Sequence, residues 1–199
     1  MKKGMKVTAL IPAYNEENTI ANIIKTVSKH QNVDGVLVIN DGSYDKTAFV
    51  AKKAGACVIT LAENKGKGGA LKRGIKEIDS DVILMLDGDL VGLKNIHVDN
   101  LLNPILNNET DMTVGVFTTG RGLTDLAQLI SPNLSGQRAV KKEIIKDIKG
   151  LENAGYGVEI AINKYVKKHG RFKYVDLPDL THIMKEEKRG IIKGAIDRL

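Results

Sequence analysis

Residues 82–90 read VILMLDGDL. Five apolar residues, Val82–Leu86, run without a polar interruption and stop at Asp87-Gly88-Asp89. A run this short and this apolar reads as a strand buried on both faces, as parallel sheets use. The pattern recurs on either side: Lys6–Pro12 (KVTALIP), Gly35–Ile39 (GVLVI), Cys57–Leu61 (CVITL) and Met112–Phe117 (MTVGVF). Between these runs lie stretches with helical spacing: Glu17–His30, with Ile20, Ile23, Ile24 and Val27 on one stripe, then Lys46–Lys53, Gly68–Ile78 and Asn95–Asn108. Strand–helix alternation with connections of this length predicts an α/β fold, a mostly parallel sheet flanked by helices.

Beyond Thr118 the period fades. TTGRGLTDLAQLISPNLSG carries Gly, Ser and Pro punctuation and reads as a loop region over the sheet. A short strand is expected over Leu134–Val140, a helix near Lys141–Lys149, a helix over Tyr156–Lys168, a strand over Arg171–Leu177 and a last helix from Ile183. In that last helix Met184, Ile191, Ile192, Ala195, Ile196 and Leu199 share a face. It suits packing on the core, with a membrane surface or a second copy of the chain as alternatives.

The chain has 199 residues, 42% of them apolar, enough for one domain with a sizeable core. Charged residues make up 27%, and no apolar run approaches the roughly 18 residues of a membrane span. Met1-Lys2-Lys3-Gly4 leads into the first strand with no small-residue cleavage site, so no secretory signal is read there. One cysteine, Cys57, and four histidines exclude a disulfide framework and a zinc ribbon. A cytoplasmic setting is expected. Aromatics are 4% and Trp is absent, which argues against a base-stacking nucleic-acid surface. The net charge is +6, and all of the excess lies late: residues 1–137 hold 15 Lys/Arg and 15 Asp/Glu, residues 138–199 hold 15 and 9. That basic third is either a solvated surface or an attractor for an anionic acceptor or membrane face.

In an open parallel sheet, ligands bind at the carboxyl ends of the strands. Those ends carry Pro12-Ala13-Tyr14-Asn15-Glu16-Glu17, Asn40-Asp41-Gly42-Ser43, Glu63-Asn64-Lys65-Gly66-Lys67-Gly68-Gly69 and Asp87-Gly88-Asp89. Asp87 and Asp89, at i and i+2 on an extended segment, point the same way and can hold a hard divalent cation such as Mg²⁺ or Mn²⁺, leaving room for phosphate oxygens. The alternative is an Asx-rich turn. The lysine–glycine loop opens a helix, where free N–H groups and the positive dipole end favour a phosphate; a flexible basic turn is the plainer reading. It is not a P-loop, and no G-x-G-x-x-G follows the first strand, which argues against a dinucleotide dehydrogenase. Asp41 could accept from a base N–H or a ribose hydroxyl, while Ser43 and Asp45 suit capping of the next helix.

VTALIPAYNEENTI, VLVINDGSYDKT, NKGKGGALKRGI and VILMLDGDL, in that order over residues 6–90, resemble the nucleotide-binding half of GT-A glycosyltransferases of the family-2 type. SPNLSGQRAVKKEII, GYGVEIAINKYV and the late His182 are similar to glucosyl-3-phosphoglycerate synthases and their relatives, which are longer. The resemblance implies a single GT-A domain over 1–199, with a nucleotide-sugar half over 1–118 and an acceptor half over 119–199. It implies that Pro12, Ala13, Tyr14 and Glu16 line a uridine pocket, with Asp41 and Ser43 nearby. It implies that Lys67 contacts the diphosphate and that Gly66 lets it come close. Asp87, Gly88 and Asp89 would meet metal and sugar nucleotide, and His182 would complete the metal shell. Gly136, Arg138 and Tyr156 would face the acceptor, and Glu159 would lie beneath the donor sugar. Leu180-Thr181 stands where the relatives carry an arginine for the acceptor, which argues against phosphoglycerate.

The implied reaction is hexosyl transfer from a UDP-sugar, with the metal and Lys67 offsetting charge on the departing diphosphate. No Glu-Asp or Asp-Asp pair follows Asp89, and Glu186-Glu187 comes too late, which favours the retaining mode. Rival readings are a prenyl-phosphate glycosyltransferase acting at a lipid surface and a non-catalytic nucleotide-sugar sensor. A sugar-phosphate nucleotidyltransferase would need a different loop after the first strand.

Overall fold

The computed structural model describes residues 4–118, 135–146, 148 and 157–182. Their elements are β1 (Val7–Ala13), α1 (Ile20–Ser28), β2 (Gly35–Asn40), α2 (Thr47–Lys53), β3 (Cys57–Thr60), α3 (Gly66–Glu77), β4 (Val82–Met85), β5 (Leu90–Val91), α4 (Asn95–Leu106), β6 (Met112–Thr118), β7 (Arg138–Lys141), α5 (Lys142–Ile145), α6 (Val158–His169), β8 (Phe172–Pro178) and β9 (Thr181–His182).

Among the described residues the main sheet has seven strands in the order β3-β2-β1-β4-β7-β6-β8. Only β7 runs antiparallel to its neighbours; the remaining pairs are parallel. The chain winds outward from β1 through β2 to β3, then returns to lay β4 on the other side of β1. That reversal opens a crevice between the ends of β1 and β4, where such sheets hold ligands.

Two apolar layers cover the sheet because successive strand side chains alternate between its faces. Val7, Ala9, Ile11 and Ala13 of β1 pack with Ile20, Ile23, Ile24 and Val27 of α1 and with α4. Leu10 packs instead with Ala70, Leu71 and Ile75 of α3 and with Val158, Ile162 and Val166 of α6. Each fully buried Leu or Ile side chain contributes about 1.5–3 kcal/mol relative to exposure. Gly74 lets α3 approach the sheet closely: a Cβ there would stand 2.9 Å from Leu10 Cδ2.

The elements differ from expectation mainly at their ends. The first helix begins at Ile20, not Glu17, because residues 17–19 form a turn in which the Glu16 carbonyl accepts from the Thr19 and Ile20 N–H groups (3.2 and 3.0 Å). The strand expected over Leu134–Val140 forms over Arg138–Lys141, and the helix expected near Lys141–Lys149 appears as Lys142–Ile145. Sequence periodicity did not reveal β5, whose pair Leu90–Val91 is too short to show a period; it joins β9 with Leu90 opposite His182. The loop over 119–134 and the last helix from Ile183 lie outside the described residues. No helix among the described residues is long and apolar enough to cross a membrane.

Candidate active site

The loops after β1 and β2 are laced together. Asn15 sits at φ 58°, a left-handed conformation that Asn tolerates. Its N–H donates to Ser43 Oγ (2.9 Å), and its Oδ1 accepts from the Tyr44 N–H (3.1 Å). The Glu16 N–H donates to Thr47 Oγ1 (2.7 Å), and the Lys46 N–H donates to Glu17 Oε2 (2.9 Å). Asp45 accepts from the Thr47 N–H at the start of α2 (2.8 Å), as a helix-start acid should, whereas Ser43 serves the neighbouring loop. The lacing presents two exposed rings, Tyr14 and Tyr44, edge to face with centroids 5.9 Å apart.

Asp41 is buried, and its Oδ1 accepts from the Lys65 N–H (2.7 Å), so it ties the second strand end to the lysine–glycine loop. Gly42, at φ 71°, allows that approach; a Cβ there would meet the Asn64 nitrogen at 2.8 Å. Gly66, at φ 72°, opens α3, and its N–H donates to Asn64 Oδ1 (3.0 Å). Lys67 therefore leaves the first turn of α3 directed at the crevice.

There its ammonium meets Asp87 Oδ1 at 2.5 Å and also pairs with Glu159 Oε1. Gln137 holds Asp87 from the opposite side: its Nε2 donates to Oδ2 (3.1 Å), and its Oε1 accepts from the Asp87 N–H (3.0 Å). Burial alone would pull the Lys67 pKa down, but the Asp87 and Glu159 carboxylates overcome it and hold it above the ordinary lysine value. Burial would raise Asp87; Lys67, then Gln137 and Arg138, hold it below the ordinary carboxylate value.

Gly136 faces the same carboxylate. A Cβ there would lie 2.5 Å from Asp87 Cγ, so only glycine leaves the carboxylate its place. Gly88 is similarly constrained by the Pro12 carbonyl (3.2 Å) and Ala13 Cβ (3.3 Å), and its own carbonyl accepts from Thr19 Oγ1 (2.6 Å). The ends of β1 and β4 therefore touch, bringing Pro12, Ala13 and Glu16 to the side of Asp87 and Asp89.

Arg138, expected to grip an acceptor, is 0% exposed. Its guanidinium donates to the Ser135 carbonyl, the Glu159 carbonyl (3.2 Å) and Asn163 Oδ1 (3.0 Å). Burial lowers its pKa to about 10, against the pull of Glu159 and Asp87. It lies beneath the ion cluster as a buried counter-charge, because β7 turns its side chain toward α6 and away from the crevice. Gly136 likewise serves clearance and offers no side chain to a ligand. Tyr156 lies outside the described residues.

The β5–β9 pairing, a two-stranded sheet apart from the main one, places His182 opposite Leu90, which follows Asp89 in sequence; its ring is tilted against Phe117 (centroids 5.7 Å). Among the described residues no three His, Cys, Asp or Glu side chains converge as a ready-made metal cage. The carboxylates of Asp87 and Asp89 are hard oxygen donors, the type a divalent cation takes.

Gln137 and Asn163 are site residues that the sequence reading did not single out. The signal for Gln137 was its place between Gly136 and Arg138. Asn163, four residues after Glu159 in a helix, shares its face.

This arrangement defines a class: a GT-A fold with acids and a lysine gathered at the switch point of the sheet. The glycosyl transferase family 2 profile matches residues 8–164, and the chain belongs to that family of glycosyltransferases. Glucosyl-3-phosphoglycerate synthase of Mycobacterium tuberculosis is 29% identical, over 81% of this chain and 60% of that protein. The chain thus spans about 60% of the length of those curated relatives. An uncharacterised protein of Methanocaldococcus jannaschii is 31% identical, over 83% of this chain and 77% of its own length. A crystal structure of the Mycobacterium tuberculosis synthase in complex with Mn²⁺, UDP-glucose and phosphoglyceric acid matches with a TM-score of 0.77 at 26% identity, covering 92% of this chain and 73% of that one.

Proposed function

We propose that the chain moves a hexose from a nucleotide diphosphate sugar, a UDP-sugar, to an acceptor carrying negative charge, in a metal-dependent reaction. The observation that carries this reading is the meeting of Lys67, Asp87 and Glu159 at the end of β4, beside the glycine-opened start of α3. The Mycobacterium tuberculosis synthase, crystallised with Mn²⁺ and UDP-glucose, and elsewhere with Mg²⁺ and UDP, supports the donor and the cation.

Pro12, Ala13, Tyr14 and Glu16 line the nucleoside pocket in this reading. Asp41 and Ser43 act by holding its loops. Asp87 and Asp89 would hold Mg²⁺ or Mn²⁺, which when bound would neutralise charge on the leaving diphosphate; His182, expected as a third ligand, is not gathered with the two acids among the described residues. Lys67 donates to the diphosphate, and Gly66 and the first turn of α3 present N–H groups to it. Glu159, held by Lys67 and backed by Arg138, orients the hexose or stabilises its developing positive charge; a carboxylate so placed fits retention of configuration. Arg138 is a positioning residue beneath it, and the acceptor is met by Tyr156 and the late basic surface. Leu180-Thr181 argues for an anion other than phosphoglycerate. A cytoplasmic setting fits the nucleotide-sugar donor.

The test is UDP release from UDP-glucose with Mn²⁺, run with phosphoglyceric acid, other sugar or hydroxy-acid phosphates, and prenyl phosphate in liposomes. Acceptor-dependent release supports transfer. Nucleotide binding without turnover on any acceptor would mark a sensor instead.

A further inference from the structure

We infer that Gln137 is a positioning residue: its side-chain amide fixes the direction in which Asp87 presents its carboxylate to the crevice. The inference rests on the proposed function and goes beyond it, because it gives a task to a side chain that lies buried behind the acid.

Asp87 stands just past the end of the sheet ladder. The β4–β7 pairing stops at Met85 opposite Arg138, and on the β1 side the Leu86 N–H donates to the Leu10 carbonyl (3.1 Å). The Asp87 N–H turns instead to a side chain. Gln137 Oε1 accepts from it at 3.0 Å, and Gln137 Nε2 donates to Asp87 Oδ2 at 3.1 Å. One planar amide thus grips the backbone and the carboxylate of the same residue. The two bonds close a ring through χ1 and χ2 of Asp87 and leave it one orientation, where an ungripped aspartate has staggered alternatives about χ1.

The chemistry of the grip singles out an amide. A backbone N–H needs an acceptor and a carboxylate needs a donor; an ionised glutamate lacks the donor, and lysine or arginine lacks the acceptor. Gln137 is itself anchored. It is 1% exposed, its carbonyl accepts from the Gly115 N–H of β6 (2.8 Å), and its N–H donates to Ser135 Oγ (3.3 Å). The frame of β6 and β7 is thereby transmitted to Asp87 through the backbone and the side chain of one residue. The grip also opposes a pull from the other side. Lys67 holds Oδ1 at 2.5 Å, and with Oδ2 released the carboxylate would be free to turn both oxygens toward that ammonium. Gln137 occupies Oδ2 with a neutral donor, so it orients the acid without cancelling its charge. Partners of this kind, one step behind the group that meets a ligand, change affinity or activity by about 10–100-fold when lost.

The experiment compares Gln137→Met, which keeps the length and removes both bonds, with Thr113→Val. Thr113 Oγ1 donates to the Leu101 carbonyl against α4 (2.7 Å), so that control removes a buried hydrogen bond elsewhere in the sheet. Calorimetric titration with UDP and Mn²⁺, titration with uridine and urea unfolding are run on both variants and on the unaltered protein. Gln137→Met should weaken UDP by about 10–100-fold and leave uridine within about twofold. Thr113→Val should lower the urea midpoint and leave UDP unchanged. UDP binding in Gln137→Met equal to that of the unaltered protein would overturn the inference while leaving the proposed function standing. So would equal losses for UDP and uridine, or a loss of UDP in Thr113→Val as large as in Gln137→Met, since either marks a structural effect. If Gln137→Met does not fold, nuclear magnetic resonance of the unaltered protein decides. The Gln137 side-chain NH₂ should show a nuclear Overhauser contact with the Asp87 N–H and keep it when UDP and Mg²⁺ are added; its loss on addition would overturn the inference. Failure of the unaltered protein to bind UDP would remove the proposed function and the inference together.

Discussion

Replacing Gly136 with alanine is the most discriminating single perturbation of this site. The added Cβ would stand 2.5 Å from Asp87 Cγ, against an ordinary contact of 3.4 Å or more. The carboxylate must therefore withdraw by about 1 Å, because the segment carrying Gly136 is held at the next residue by the Gly115 N–H on the Gln137 carbonyl (2.8 Å) and then enters β7, paired on both sides. Withdrawal breaks the Gln137 bond and stretches the Lys67 pair. Overpacking of this kind costs about 1–3 kcal/mol of stability. The effect on the ligand is of the same order: displacing a positioned group by about 1 Å is worth roughly 100-fold, about 2.7 kcal/mol. Gly35→Ala serves as the control, because its Cβ would find only Thr8 Oγ1 at 3.9 Å. Calorimetric titration with UDP and Mn²⁺, together with urea unfolding of all three proteins, measures both quantities. Gly136→Ala should remain folded, with a lowered urea midpoint, and lose UDP–Mn²⁺ affinity, while Gly35→Ala stays near the unaltered protein. If Gly136→Ala titrates like the unaltered protein, Asp87 is not the group that meets the ligand.

Arg138→Met should lower stability by about 3 kcal/mol in urea unfolding, because it leaves the buried acids without their counter-charge; a loss below the scatter of the measurement would mean that the guanidinium is dispensable. Tyr44→Ala should weaken UDP by about threefold to tenfold through loss of its edge contact with Tyr14, with Tyr44→Phe near normal and pyrophosphate binding unaffected. With no Trp in the chain, tyrosine fluorescence reports the titration directly, and equal losses for UDP and pyrophosphate would sever Tyr44 from the nucleobase. His97 is fully buried: its Nδ1 accepts from the Lys94 N–H, so Nε2 donates to the Pro178 carbonyl (2.8 Å). Burial holds its pKa below the ordinary value, so as pH falls past about 6.5 the unfolded chain takes the proton before the native one. Its share of stability is present above that pH and lost below it. The urea midpoint should fall more between about pH 7.5 and 5.5 than in His97→Gln, and parallel curves would contradict the assignment.

Much of this protein was legible in its sequence, and the reason is local. A buried strand must be apolar on both faces, so VILML, GVLVI and ALIP announce themselves, and the residues that follow them sit at the ligand edge of the sheet. Asp87, Asp89, Lys67 and the glycines around them could be nominated for that reason alone. What Lys67 touches could not be read from the chain, since its partners lie 20 and 92 positions away on β4's end and α6, and only the winding of the sheet brings three such charges together. The same holds for Arg138. Sequence offers an arginine beside a glycine and is silent on which way the strand turns it; antiparallel insertion of β7 between β4 and β6 aims the guanidinium inward, where burial demands partners and three hydrogen bonds supply them. The strand pair that sets His182 opposite Leu90 is two residues long on each side, too short for any period to reveal, and joins segments far apart in the chain.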